Sequence, residues 1–167
     1  MNIFTDRLIL RTFKVNDAKE FFRIIQDEDI KRNLKGVYVE TLAKVKGNIA
    51  IYKAADFKND YYYAIEDKRY GNLVGAIIAN RMNKYEIEVA YFVAKNYRKS
   101  GFMKEALSTF LQQVGCWNKG MEFKFVVDKD NTPSIGLMKS LNIPVKCESD
   151  TQYHFKFYGG MQYDNKH

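Results

Sequence analysis

The stretch Glu88-Val-Ala-Tyr-Phe-Val-Ala-Lys-Asn-Tyr-Arg-Lys-Ser-Gly-Phe-Met-Lys-Glu-Ala-Leu107 reads as a strand that stops, a short basic turn and an amphipathic helix that starts at once. The turn holds Gly101, and beyond it Met103, Ala106, Leu107, Phe110, Leu111 and Val114 recur at helical spacing. The first turn of a helix has N–H groups with no intrahelical partner, and the helix dipole adds partial positive charge there. Arg98, Lys99 and Lys104 add full charges beside it. The segment is therefore suited to hold a phosphate-bearing ligand against the end of a strand.

Outward from this stretch, short apolar runs alternate with helical patterns. Residues 5–11 alternate around Leu8 and Leu10 and predict a strand. Asp17 with Glu20 has capping-box spacing and predicts the start of a helix carrying Ala18, Phe21, Phe22, Ile24 and Ile25. A second helix is predicted over 40–55, and strands over 61–66, 73–80 and 85–93, separated by polar turns. Gly115 or Gly120 can end the helix that follows Gly101. A strand at 123–127, a helix begun by Asn131 or Thr132 with Pro133 at its first position, and a hairpin of 145–148 with 153–158 complete the chain. The Gly71–Gly75 segment lacks the Gly-Lys-Ser/Thr ending of a nucleotide loop. The pattern is that of one α/β (α+β) domain over residues 1–167 without internal repeats.

Composition removes several function classes. The 167 residues are 46% apolar with two prolines, enough for a buried core and too few breakers for long linkers. No apolar run approaches the ~18 residues that span a bilayer, and Met1–Arg7 has no basic region followed by an apolar stretch. A cytoplasmic protein is expected. Cys116, Cys147, His154 and His167 form no ligand-spaced cluster, so no metal is expected, and both cysteines read as buried structural thiols. The net charge of +7 raises nucleic acid as a partner, but the 27 basic residues are scattered and no recognition motif is present.

Arg98-Lys-Ser-Gly101-Phe-Met103 resembles the Arg/Gln-x-x-Gly-x-Gly/Ala signature of the GNAT N-acetyltransferases, which cradles the pyrophosphate of acetyl-CoA. Three more segments resemble that family's Rim-type branch, which contains the ribosomal-protein N-terminal acetyltransferases. They are Thr5-Asp-Arg-Leu-Ile-Leu-Arg11 as the N-terminal strand, Glu88-Val-Ala-Tyr91 for its Glu-Ile-Gly-Tyr, and Asn131-Thr-Pro-Ser134 for its Asn-x-x-Ser. Their order and separation fit over nearly the whole chain. The resemblance implies a mixed, mostly antiparallel sheet of about seven strands, splayed centrally, with about four helices.

It also implies roles for particular residues. The backbone of Arg98, Lys99, Ser100, Gly101, Phe102 and Met103 would hold the pyrophosphate, and the backbone near Phe92 or Val93 would pair with pantetheine and polarise the acetyl carbonyl. Glu88 would act as general base, with Glu86 on the same strand face as rival or charge partner. Asn131 would bond the pantetheine arm and Ser134 would protonate or bridge to the thiolate, although both also suit a helix start. Lys139 falls near the adenine-ribose end, and Gly75 falls where the family has a strand glycine for close backbone approach.

Three departures stand against this pattern. Met138 replaces the tyrosine that many members use as general acid, Met103 replaces a small loop residue, and Asn142-Ile143 replaces a helix-ending Gly-Phe. They keep a second reading open, a CoA-binding sensor or interaction module that has lost catalysis. The acceptor is expected between residues 27–38 and 148–158, where Asp27, Glu28 and Asp29 could attract an amine and Tyr38, Tyr61, Tyr62, Tyr63 and Tyr153 could line a slot. The positive net charge disfavours polycations, leaving a peptide N-terminus or small monoamine, acted on by a monomer or homodimer.

Overall fold

The computed structural model describes residues 1–34 and 36–160. Eight strands form one sheet: β1 (Ile3–Phe4), β2 (Leu8–Arg11), β3 (Tyr61–Asp67), β4 (Leu73–Arg81), β5 (Glu86–Val93), β6 (Glu122–Asp128), β7 (Val145–Glu148) and β8 (Gln152–Tyr158). Five helices accompany it: α1 (Asp17–Ile25), α2 (Glu28–Asn33), α3 (Leu42–Ala54), α4 (Phe102–Trp117) and α5 (Thr132–Ser140). The expected elements are all present, and β1 and the short α2 are additional to them.

The sheet order is β1-β2-β3-β4-β5-β6-β8-β7. Every neighbouring pair is antiparallel except β5 and β6, which run parallel and pair only over Glu86–Glu88 against Glu122–Lys124. Beyond Glu88 the two strands part. The sheet is thus splayed at its centre, and the β5 edge from Val89 to Val93 has no strand beside it on that side.

Alternating side chains build a core on each face. One joins Leu8, Leu10, Tyr63, Ile77, Val89, Phe123 and Phe125 to the buried side of α4 and to Met138 of α5. The other joins Ala64, Ala76, Ile78 and Phe92 to Phe21 and Ile25 of α1 and Val45 and Ile49 of α3. The aromatic content is spent here: Tyr61 and Tyr63 pack in the first core and Tyr62 in the second, so these tyrosines form no slot.

Local chemistry departs from expectation at four places. Asn16 occupies the cap position of α1 without a side-chain bond, so Asp17 and Glu20 form no capping box. Instead the buried Asp17 carboxylate takes two bonds from Arg11, at 2.7 and 2.9 Å, and one from the Lys14 N–H, while Glu20 pairs with Arg23. Helix α4 runs through Gly115 and is closed by Asn118; Gly120, with φ of 80°, lies in the turn beyond. Both cysteines are exposed rather than buried, because Cys116 falls on the outer face of α4 and every residue of β7 is exposed.

Candidate active site

The splay between β5 and β6 opens into a cavity of about 650 Å³. Its walls are the Val89–Val93 edge, the 125–128 end of β6, the start of α5, the start of α4 and the inner side of α2. Of the residues expected at a CoA site, Phe92, Val93, Arg98, Lys99, Gly101, Phe102, Met103, Asn131 and Ser134 all line this one cavity. Ser100 and Glu88 do not.

The floor is the turn before α4. Lys99 (φ 60°) and Gly101 (φ 79°) both take the left-handed conformation, which costs Lys99 energy and suits Gly101. Gly101 offers no side chain to cap α4, so the first-turn N–H groups are left uncapped at the cavity. The N-terminal segment braces this turn from behind. Glu105 accepts from the Thr5 hydroxyl at 2.5 Å, the Arg7 N–H at 2.8 Å and the Arg7 guanidinium at 2.6 Å. Arg7 also donates to the Ser100 carbonyl at 2.9 Å and covers the Phe102 ring at 4.6 Å. Burial pushes the Glu105 carboxyl up, but the Thr5 and Arg7 donors outweigh it and hold it below the usual carboxylate range. Sequence reasoning identified the Thr5–Arg11 segment but not its target.

The Arg98 side chain forms ion pairs with Asp27 at 2.5 Å and Asp29 at 2.9 Å. Asp27 also caps α2 through the N–H groups of Asp29 and Ile30. The carboxylates that looked free to attract an amine are thus engaged. Burial raises the Asp27 carboxyl, and the Arg98 guanidinium with the two cap N–H groups brings it below its ordinary value. Arg98 fastens α2 beside the cavity, where Ile30, Asn33 and Leu34 form part of the wall.

Across the cleft, Asn131 accepts from the Ser134 N–H at 3.2 Å, capping α5 and fixing Ser134 at the rim. The Tyr91 hydroxyl is buried in the wall without a hydrogen-bond partner. Glu88 lies two positions before the first cavity-facing even residue, Ala90, on the same sheet face. Its register neighbours are Asn80 and Lys124, and Lys124 pairs with Glu86 at 3.6 Å. Lys139 is exposed, and neither it nor the 148–158 segment belongs to the cavity lining.

Packing accounts for the three departures from the family pattern. Met103 and Met138 belong to the first core, at 8% and 0% exposure. Asn142 (φ 54°) is the left-handed residue of a Schellman cap, with Asn142 N–H to the Lys139 carbonyl and Ile143 N–H to the Met138 carbonyl, both 3.0 Å. A strand glycine is needed at Gly75, where a Cβ would overlap the Phe92 carbonyl of β5. Among the described residues no group of acidic, His or Cys side chains could hold a metal ion.

The geometry has close relatives among solved structures. A GNAT acetyltransferase of Bacillus anthracis superposes with a TM-score of 0.82 at 18% identity, covering 95% of this chain and 99% of that one. The ribosomal-protein-S5-alanine acetyltransferase of Vibrio fischeri gives 0.78 at 12% identity, with 96% and 97% covered. The microcin C7 self-immunity acetyltransferase MccE, in complex with acetyl-CoA and AMP, gives 0.76 at 15%, with 92% and 93% covered. No curated protein matches the chain. The sequence profile of the acetyltransferase (GNAT) domain matches residues 7–143, which span the bracing strand, the cleft and the α5 cap. The chain belongs to the GNAT acetyltransferase family.

Proposed function

We propose that the enzyme moves the acetyl group of acetyl-CoA to a primary amine by direct attack, in the manner of the Rim-type branch. The observation that carries this reading is the parting of β5 from β6 directly above the uncapped start of α4. A pantetheine arm carries amide groups that can pair with the open Val89–Val93 edge as a strand would. The α4 N-terminus, with Lys99 and Lys104 beside it, suits the pyrophosphate. The structural neighbour in complex with acetyl-CoA supports the choice of donor.

In this reaction the amine nitrogen attacks the thioester carbon, the C–S bond breaks and the electron pair leaves on sulfur. A backbone N–H of Phe92 or Val93 stabilises the developing oxyanion. Glu88 takes the ammonium proton, directly or through a water, from its place just outside the cavity lining, two residues before Ala90 on the same sheet face. Ser134, held by its Asn131 cap, faces the departing thiolate, and Asn131 retains its amide N–H groups for the pantetheine. The wall supplied by α2 borders the acceptor, and a peptide N-terminus or a small monoamine fits a protein of net charge +7 better than a polycation.

Thermal stabilisation by micromolar acetyl-CoA, followed by thiol release across a panel of N-terminal peptides and small amines, tests the reading. Stabilisation with turnover of at least one amine is expected; its absence with acetyl-CoA overturns the donor assignment. Glu88→Gln should lower kcat by roughly 10² to 10³ with little change in acetyl-CoA binding. An unchanged pH–rate profile in that variant would remove Glu88 as the base.

A further inference from the structure

We propose that Arg98 couples the two sides of the cleft: its backbone begins the anion-binding turn while its side chain clamps α2, so that loading the turn with CoA stiffens the α2 wall. The proposal rests on the acetyl-transfer reading above and adds to it a positioning residue, through which the bound donor readies the side that borders the acceptor.

The Arg98 N–H closes the short 3-10 turn Lys95–Tyr97 on the Lys95 carbonyl at 3.3 Å, and the next residue, Lys99, enters the left-handed turn before α4. From that base the guanidinium reaches α2, with Nη2 on the Asp27 carboxylate at 2.5 Å and Nη1 on Asp29 at 2.9 Å. The Asp27 pair is largely sheltered, its side chains 28% and 17% exposed. Asp27 is also the residue that caps α2, through the Asp29 and Ile30 N–H groups at 3.1 and 3.4 Å. One carboxylate therefore holds both the start of the helix and the donor turn. Among the described residues, every other ion pair and side-chain hydrogen bond of α2 stays within the helix: Glu28 with Lys31, Asp29 with Arg32, and the Asn33 amide with the Asp29 carbonyl.

Those local pairs lie at the surface and contribute little. Six residues are too few to hold a helix alone, and the second core takes only Ile30 and, partly, Leu34 from this segment. The wall that Ile30, Asn33 and Leu34 give the cavity thus owes its position to the clamp and a small apolar anchor. The direction of the coupling follows from what is left for the ligand. Lys99 and Lys104 line the cavity without an ion pair among the described residues, and the first N–H groups of α4 are uncapped. A pyrophosphate finds these donors free, whereas the Arg98 guanidinium is already engaged by two carboxylates. A phosphate that pins the turn also fixes the Arg98 backbone, and a clamp with one end fixed loses less freedom when it closes. By linkage, an α2 held in place returns the same factor to CoA affinity.

Hydrogen exchange over Glu28–Asn33, read by mass spectrometry with and without saturating CoA, tests the coupling in the wild type, in the double variant Asp27→Asn with Asp29→Asn, and in Glu28→Gln. Asparagine at 27 keeps the helix cap while both partners of Arg98 lose their charge. In the wild type, CoA should slow exchange over α2 by about fivefold or more, together with the start of α4. The double variant should keep the protection at α4 and bring the α2 ratio to about one. Glu28→Gln breaks only the local pair with Lys31 and should keep the wild-type ratio. Loss of the ratio there as well assigns it to helix stability and overturns the clamp, as does a ratio that survives the loss of both carboxylate charges. Exchange over α2 that CoA leaves unchanged in the wild type, or speeds because the phosphate takes the guanidinium, overturns the proposal while protection at α4 stands. If CoA neither protects the start of α4 nor raises the wild-type Tm, the acetyl-CoA reading itself falls.

Discussion

Glu105 and Gly75 never meet a ligand in the proposed reaction, yet both set the shape of the site. Glu105 gathers Thr5 and Arg7 onto the first turns of α4, and Arg7 then bonds the Ser100 carbonyl inside the turn. Glu105→Gln keeps the size and loses the charge. It should weaken acetyl-CoA binding by about fivefold, the equivalent of one charge-assisted bond of roughly 1 kcal/mol, as read by calorimetric titration. Gly75 acts through sterics instead. In Gly75→Ala the new Cβ must push the Phe92 carbonyl aside, which bends β5 at the edge that would hold the thioester. Loss of kcat larger than loss of stability is expected, with activity and urea unfolding measured on the same preparation. The Glu105 contacts were illegible in the sequence because its partners lie 98 and 100 residues away, and nothing local to Glu105 announces them. The role of Gly75 was legible only through the family resemblance.

Elements differ in how much of themselves they show in sequence. The strand-turn-helix at 88–107 was readable because its signals are local: an apolar strand, a glycine where φ must be positive, and a helical apolar stripe. Helix α2 was not, since six residues are too few for periodicity to register. Its stability comes from Asp27 at the cap and from Arg98 across the cleft mouth. Arg98→Ala should therefore speed hydrogen exchange over Glu28–Asn33 while leaving α4 protected, a pattern that mass spectrometry resolves. Helix α1 shows a different failure. Asp17 and Glu20 have the right spacing for a capping box, but Arg11 offers Asp17 a buried bidentate partner and wins it. Arg11 also bonds Glu66 at 2.5 Å, tying β2, β3 and α1 together. Arg11→Met would strand two carboxylates in a largely buried place, and a loss of about 3 kcal/mol in urea unfolding is expected.

Across the whole molecule, Asp27, Glu66 and Glu105 are each held below their ordinary carboxylate values by hydrogen-bonded partners: Arg98 with two cap N–H groups for Asp27, Arg11 and Lys14 for Glu66, and Thr5 with Arg7 for Glu105. Burial opposes the shift in all three and is outweighed. A carboxylate depressed in the folded state stabilises the fold above its unfolded pKa, near 4, and that contribution is lost as pH falls through the lower folded value. Tm should therefore hold level near neutrality and drop steadily below about pH 4.5, and Glu105→Gln should flatten that drop. The parallel contact of β5 with β6 has a consequence at the same scale. Three residue pairs are the entire ladder between the two halves of the sheet. A cosubstrate lying along Val89–Val93 would serve as the missing length of that ladder, so the enzyme would be a nine-stranded protein while loaded and an eight-stranded one between turnovers. Release of product CoA would then be a small unfolding event, and its rate would be set by how readily the sheet gives up a strand.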